Sequence, residues 1–186
     1  MINYPSDRIS FSEIQLIEGN KGLYDGLDLE GSNSNAALAK LTQTPVVLVL
    51  DARGMTRGIA PLILGNQAFD PEVSIAGVIL NQLGGSRHES KLRAVIEHYT
   101  DIPVIGGVHR DKALEIVERH LGLVPPQEDG CPDEAVDAAA RAAETYLDVE
   151  ALWHLAHQVP PLSLPIDDTA AGPSLEPPAV AGERPR

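Results

Sequence analysis

Val46-Val47-Leu48-Val49-Leu50-Asp51 is an unbroken run of β-branched and leucine side chains that stops at a carboxylate. A run without a polar face reads as a strand covered on both sides, the pattern of a parallel sheet sandwiched by helices. Two runs of the same kind follow it. Ile75-Ala76-Gly77-Val78-Ile79-Leu80 ends at Asn81, and Pro103-Val104-Ile105-Gly106-Gly107-Val108 ends at His109-Arg110-Asp111. The segments between them have helical spacing. Gly58 to Phe69 carries Ile59, Leu62, Ile63 and Phe69, with Pro61 confined to the first turn. Ser86 to Tyr99 sets Leu92, Val95, Ile96 and Tyr99 on one face, with Ser86 in the capping place. Upstream, Asn35 to Leu41 is a short alanine-rich helix. Strand and helix in alternation predict right-handed crossovers and an α/β fold with a mostly parallel, doubly wound sheet.

Working toward the amino terminus, the apolar run Ile14-Gln15-Leu16-Ile17 reads as a further buried strand. It delivers Glu18 into the glycine-rich loop Gly19-Asn20-Lys21-Gly22-Leu23-Tyr24-Asp25-Gly26. Parallel sheets bind ligands where their strands point their carboxyl ends. Two carboxylates seven residues apart on such a loop suit a hydrated metal and a reacting group; an ordinary turn with a solvated Glu and Asp is the alternative. Working toward the other end, Pro132 to Gln158 is helical. Asp133 and Glu134 stand at its start, and Asp148 caps a second helix through Leu152, Trp153 and Leu155. Residues 1–158 are therefore expected to form one domain. Residues 159–186, rich in proline, are expected to be a disordered linker or tail.

Composition narrows the function classes. The chain has 186 residues and a formal net charge of −13. That charge argues against sequence-independent nucleic-acid binding and against a polybasic membrane contact. Met1 to Ser12 is polar and unlike a signal peptide, and no apolar run reaches membrane-spanning length. Cys131 is the one cysteine, which leaves no internal disulfide and no cysteine metal cluster and fits a cytoplasmic protein. His154 and His157 lie one turn apart without a third ligand near in sequence, so a packing face is expected of them. His88, His98 and His120 have no obvious catalytic partner.

The run from Gln15 to Gly26, together with Gly31-Ser32-Asn33, Ala39-Lys40-Leu41, Pro45 to Met55, Phe69-Asp70-Pro71, Ile75 to Asn81 and Glu118-Arg119-His120-Leu121-Gly122-Leu123, closely resembles the cobyrinic acid a,c-diamide synthase family. That family belongs to the dethiobiotin-synthetase-like branch of the P-loop NTPase fold. The resemblance covers residues from about 13 to 157 in consistent order. It implies an ATP-dependent amidoligase that phosphorylates a peripheral carboxylate of a tetrapyrrole, which ammonia released from glutamine by a glutaminase domain or subunit then converts to an amide. ATP and Mg²⁺ are the implied cofactors, and dimerisation is frequent in this branch.

Site residues follow from the same resemblance. Glu18 corresponds to a Mg²⁺ ligand, and Asp25 to a loop aspartate that handles the substrate or its phosphorylated intermediate. Lys21 and Tyr24, on the same loop, are candidates for substrate contact. Asn81 stands where the fold hydrogen-bonds adenine, a task an amide suits because it both donates and accepts. Arg53 is placed to reach a phosphate or a propionate, with an ion pair to its surroundings as the alternative. Arg110 belongs to the loop at the nucleotide edge, where His109 stands in place of the family's usual proline. The Glu18–Asp25 stretch and the Asn33-Ser34-Asn35 cluster also resemble siroheme amidases, so the tetrapyrrole stays open between cobyrinic acid and siroheme. Two departures stand out: no G-x-x-x-x-G-K-[ST] loop is found in the sequence, and no glutaminase domain follows. On this reading the sheet lacks its first strand and phosphate loop. A non-catalytic, truncated or split-subunit piece is the alternative from a different class.

Overall fold

A computed structural model describes residues 14–111, 114 and 132–160. The expectations for His120, Cys131, the Glu118–Leu123 stretch and the tail from residue 161 onward lie outside them. The described elements are α1 (Asn35–Thr42), β1 (Val46–Asp51), α2 (Ile59–Phe69), β2 (Ile75–Leu83), α3 (Ser86–Tyr99), β3 (Val104–His109), α4 (Pro132–Tyr146) and α5 (Val149–His157). The three apolar runs form a parallel sheet in the order β1-β2-β3. Leu48 lies beside Val78, Leu50 beside Leu80, and Asp51 beside Asn81. Asp51, the last residue of β1, and Asn81, two residues before the end of β2, therefore share one rim.

One face of the sheet is sealed by α2 and α3. Leu48, Val78 and Leu80 of the strands meet Ile59 and Ile63 of α2 and Leu92 and Ile96 of α3 in a single buried cluster. Each large aliphatic side chain removed from water in this way contributes about 1.5–3 kcal/mol, which is why these positions and not helix propensity set the fold. Pro61 occupies the third position of α2, where no intrahelical N–H is required, so the helix tolerates it.

Two glycines report how closely the layers approach. A Cβ on Gly107 would stand 2.5 Å from Glu89 Oε1 of α3, whereas one on Gly106 would meet Leu147, which follows α4. Successive strand residues point to opposite faces, so α3 and the α4–α5 unit cover opposite sides of β3. Leu147 also bridges Gly106 in antiparallel fashion, and the Asp148 N–H donates to Ile105 O at 2.7 Å.

Three local expectations can be compared with the outcome. Asp148 does cap α5, accepting from the Ala151 N–H at 2.9 Å. Ser86 does not cap α3. It is the first helical residue, and Gly85, at φ 136°, occupies the N-cap without a side-chain bond. The buried strand expected at Ile14–Ile17 is also corrected. The segment lies outside every strand, with Leu16 95% and Ile17 54% exposed. Four residues carry an apolar run but no register, and in this structure they find no ladder to join. No helix among the described residues is long and apolar enough to cross a membrane.

Candidate functional site

The rim at the carboxyl ends of the strands is built by the strand terminations themselves. After Leu80 the register of β2 against β3 slips, and Gln82 adopts a left-handed backbone with φ 61°. A bulge of this kind re-aims the side chains beside it. Asn81 Oδ1 accepts from the Gln82 N–H at 2.9 Å, and Asn81 O accepts from the Ala52 N–H at 2.8 Å. With its oxygen engaged, the Asn81 amide keeps its two N–H donors for another partner. The Arg110 N–H donates to Leu83 O at 3.1 Å, and its guanidinium lies near Gly84. Arg110 therefore stands on the rim that carries Asn81.

Asp51 and Arg53 form a closed pair on that rim. The Arg53 N–H and Nε–H both donate to Asp51 Oδ1 at 3.0 Å, and Nε–H also reaches Oδ2 at 2.8 Å. These bonds hold the Asp51 carboxyl below the ordinary aspartate range and the guanidinium above its own. The ion-pair alternative for Arg53 is thus what the structure contains.

Two residues that the sequence left without a role organise the rim. His88 accepts from the Gly84 N–H on Nδ1 (3.3 Å) and, in the tautomer this requires, donates from Nε2 to Met55 O (2.8 Å). It thereby ties the turn after β1 to the end of β2. Glu89 accepts from Arg93 Nε–H at 2.8 Å and pairs with His109 Nε2 at 2.8 Å, while Arg93 also donates to Val104 O. Burial works to raise the Glu89 carboxyl, but the bonds from His109 and Arg93 outweigh it and hold it below the ordinary glutamate range. His109 in turn stacks on Tyr146 with ring centres 5.6 Å apart. The Glu89–Arg93 pair has the i,i+4 spacing visible in any helical reading. The links of His88 and His109 join distant segments and leave no local signature.

The glycine-rich loop is assembled elsewhere, against α1. The Ala36 N–H donates to Leu23 O at 2.9 Å, and Asn35 Nδ2 donates to Lys21 O at 3.0 Å. The Asp25 N–H closes a turn onto Gly22 O at 3.2 Å, and the Asp25 carboxylate folds back over Gly22, where any Cβ would collide with it. Glu18, Lys21 and Asp25 are exposed. Tyr24 is half-buried. Its hydroxyl donates to Asn66 O at 2.6 Å, and its ring lies 4.7 Å from Phe69. Burial, assisted by the charge of Asp70, raises its phenol above the ordinary tyrosine value.

Asp70 caps the end of α2 and pairs with Lys40 of α1 at 2.7 Å. The turn that follows delivers Ser74 to the first residue of β1. Tyr24 thus packs against the last turns of α2. The structure groups Asp51, Arg53, Asn81 and Arg110 on the carboxyl rim, and it anchors Glu18, Lys21, Tyr24 and Asp25 through α1 and α2. The hydrogen bonds of the two groups lead to different neighbours.

For a hard divalent cation the described residues offer one exposed carboxylate at Glu18. The carboxylate of Glu18 accepts no hydrogen bond or ion pair from any described residue, and no group of three or more His, Cys, Asp or Glu is gathered among the described residues. One carboxylate with several retained waters is how Mg²⁺ commonly binds beside a phosphate.

A family model described as an AAA domain matches residues 10–117. The cobyrinate a,c-diamide synthase of Magnetococcus marinus is 41% identical over 174 residues, which are 94% of this chain and 35% of that relative. The cobyrinate a,c-diamide synthase of Methanosarcina acetivorans is 51% identical over 120 residues, 64% of this chain and 24% of that relative. That of Methanobrevibacter smithii is 38% identical over 157 residues, 84% and 35% respectively. The chain spans about a third or less of the length of these curated relatives. No solved structure matches it.

Proposed function

Because this chain belongs to the AAA-domain family and is similar to cobyrinate a,c-diamide synthases along most of its length, we propose that it carries the synthetase part of an ATP- and Mg²⁺-dependent amidation of the a- and c-acetate groups of cobyrinic acid. The observation that carries this reading is the 41% identity maintained over 94% of the chain.

The chemistry requires two transfers. One oxygen of the acetate attacks the γ-phosphorus of ATP, the bond to the bridging oxygen breaks, and ADP departs with the electron pair. The lone pair of ammonia, released from glutamine by a glutaminase domain or subunit, then attacks the acyl carbon. Phosphate leaves with its oxygen, the nitrogen loses a proton, and an amide results. Carboxylate oxygen is a poor leaving group and phosphate a good one, so catalysis consists mostly of positioning and charge neutralisation. Mg²⁺, when bound, supplies neutralisation of the phosphate oxygens.

This chain's residues divide that work. Asn81 offers its amide donors to the edge of adenine, and Arg110 offers a guanidinium on the same rim. Glu18 would hold the cation, with water completing its shell. Asp25 and Lys21, exposed on their loop, face the acetate, while Tyr24 secures the loop through its ring and its bond to Asn66 O. Arg53 reaches an oxyanion with the N–H groups that Asp51 leaves unused.

The test is ammonium-dependent amidation by the full chain with Mg-ATP, offered cobyrinate and siroheme in parallel. Amidation of cobyrinate supports the reading, and turnover of siroheme alone reassigns the tetrapyrrole. Absence of product from both removes the proposal. Glu18→Gln, expected to lower kcat about a hundredfold through loss of the cation, sinks the metal assignment if activity is unchanged.

A further inference from the structure

We infer that Asn35 is a positioning residue for the acidic loop: by donating to the Lys21 carbonyl and lying across Gly19, its side-chain amide fixes where Glu18 and Asp25 stand. The inference rests on the function proposed above, which gives those carboxylates their task.

Asn35 opens α1, and its backbone belongs to the helix, yet its side chain does not serve the helix. Ser34 supplies the cap, accepting from the Ala37 N–H at 3.1 Å. The Asn35 amide turns instead toward the loop, with Nδ2 3.0 Å from Lys21 O. A Cβ on Gly19 would stand 2.8 Å from that nitrogen and 3.0 Å from Cγ. One planar amide therefore touches the loop on both sides of Asn20, immediately after Glu18 and four residues before Asp25. The Ala36 N–H holds Leu23 O two residues further on. The loop is pinned at three successive points, and only the Asn35 contacts depend on a side chain of α1. The loop has no strand to order it, so these pins, together with the Tyr24 anchor on α2, define its shape.

Asn33 provides a control of matched chemistry. Its Oδ1 accepts from the Leu27 N–H at 2.8 Å, beyond the acidic loop. Asn33→Asp keeps an acceptor at that point, whereas Asn35→Asp removes the donor and turns an acceptor toward the Lys21 carbonyl. Both substitutions add the same charge at the start of α1, where a carboxylate is favoured. Net charge alone therefore does not separate the two variants.

The experiment compares the two variants with the parent chain in the amidation assay and by amide hydrogen exchange. Asn35→Asp is expected to lower kcat about tenfold or more while KM for ATP stays within about twofold, since misplacement of reacting groups acts on the chemical step. Asn33→Asp is expected to stay within about twofold in both. Equal kcat in the two variants overturns the inference. If the parent chain amidates neither tetrapyrrole, it is the proposed function that fails, and exchange at the Asp25 amide then decides the positioning role. That amide, bonded to Gly22 O, is expected to exchange about five- to tenfold faster in Asn35→Asp and at the parent rate in Asn33→Asp. Equal exchange rates overturn it.

Discussion

Single atoms decide much of how the carboxyl rim is held. Gly107 is needed because Glu89 passes beneath it to reach His109, with Leu83 Cδ1 also only 3.0 Å from where a Cβ would stand. Gly107→Ala is therefore expected to cost about 1–3 kcal/mol by urea denaturation, as overpacking of a filled site does. Gln82 carries the opposite kind of signal. A non-glycine residue at φ 61° is strained by about 1 kcal/mol, and Gln82→Gly is expected to recover a few tenths to 1 kcal/mol. A loss of stability on that change would show that the side chain does something the backbone does not require. Glu89 gives the molecule an acid-sensitive joint. Its carboxyl lies below the ordinary value in the folded protein, so its contribution is complete above the ordinary glutamate range and lost as pH falls through the folded value. Glu89→Gln should flatten the acid limb of a plot of Tm against pH and leave the shape near neutrality unaltered.

At the scale of elements, what the sequence revealed and what it hid have separate physical causes. The three long apolar runs were legible because burial demands residues without polar alternatives, and that demand is written locally, although β1 is covered on one face only and leaves Val49 62% exposed. The Asp148 cap was legible for a similar reason, since a carboxylate three residues before a helical N–H is a short-range event. Asp148→Ala is expected to cost about 1 kcal/mol and to reduce helical circular dichroism, with the loss confined to α5. The Ile14–Ile17 run misled because three apolar residues in four define a strand only when a neighbouring ladder accepts them. Ser86 misled because a serine after two glycines looks like a cap, while the sharp turn at Gly84–Gly85 already starts the helix. For the site, Asn81 and Arg110 were readable as strand-end residues. The roles of His88, Glu89 and Asn35 were not, because each acts through a partner 14 to 33 positions away or across the sheet.

For the molecule as a whole, a net charge of −13 on 186 residues means that the folded chain is under repulsion from itself. Raising sodium chloride from low to moderate concentration should therefore raise Tm by a few degrees, because screening relieves many like charges and weakens only a handful of exposed ion pairs among the described residues. A fall in Tm would show instead that pairs such as Lys40–Asp70 outweigh the repulsion. The one tryptophan of the sequence, Trp153, sits half-exposed on α5 with its ring 4.4 Å from that of His157. The unit it belongs to is fastened to the sheet through Leu147 and the Asp148–Ile105 bond, at a distance from the Leu80–Leu92–Ile96 interior. Tryptophan fluorescence, excited where tyrosine does not absorb, is consequently a witness to the α4–α5 flap alone. An emission midpoint arriving before the ellipticity midpoint during chemical denaturation would time the peeling of that flap from an otherwise intact body.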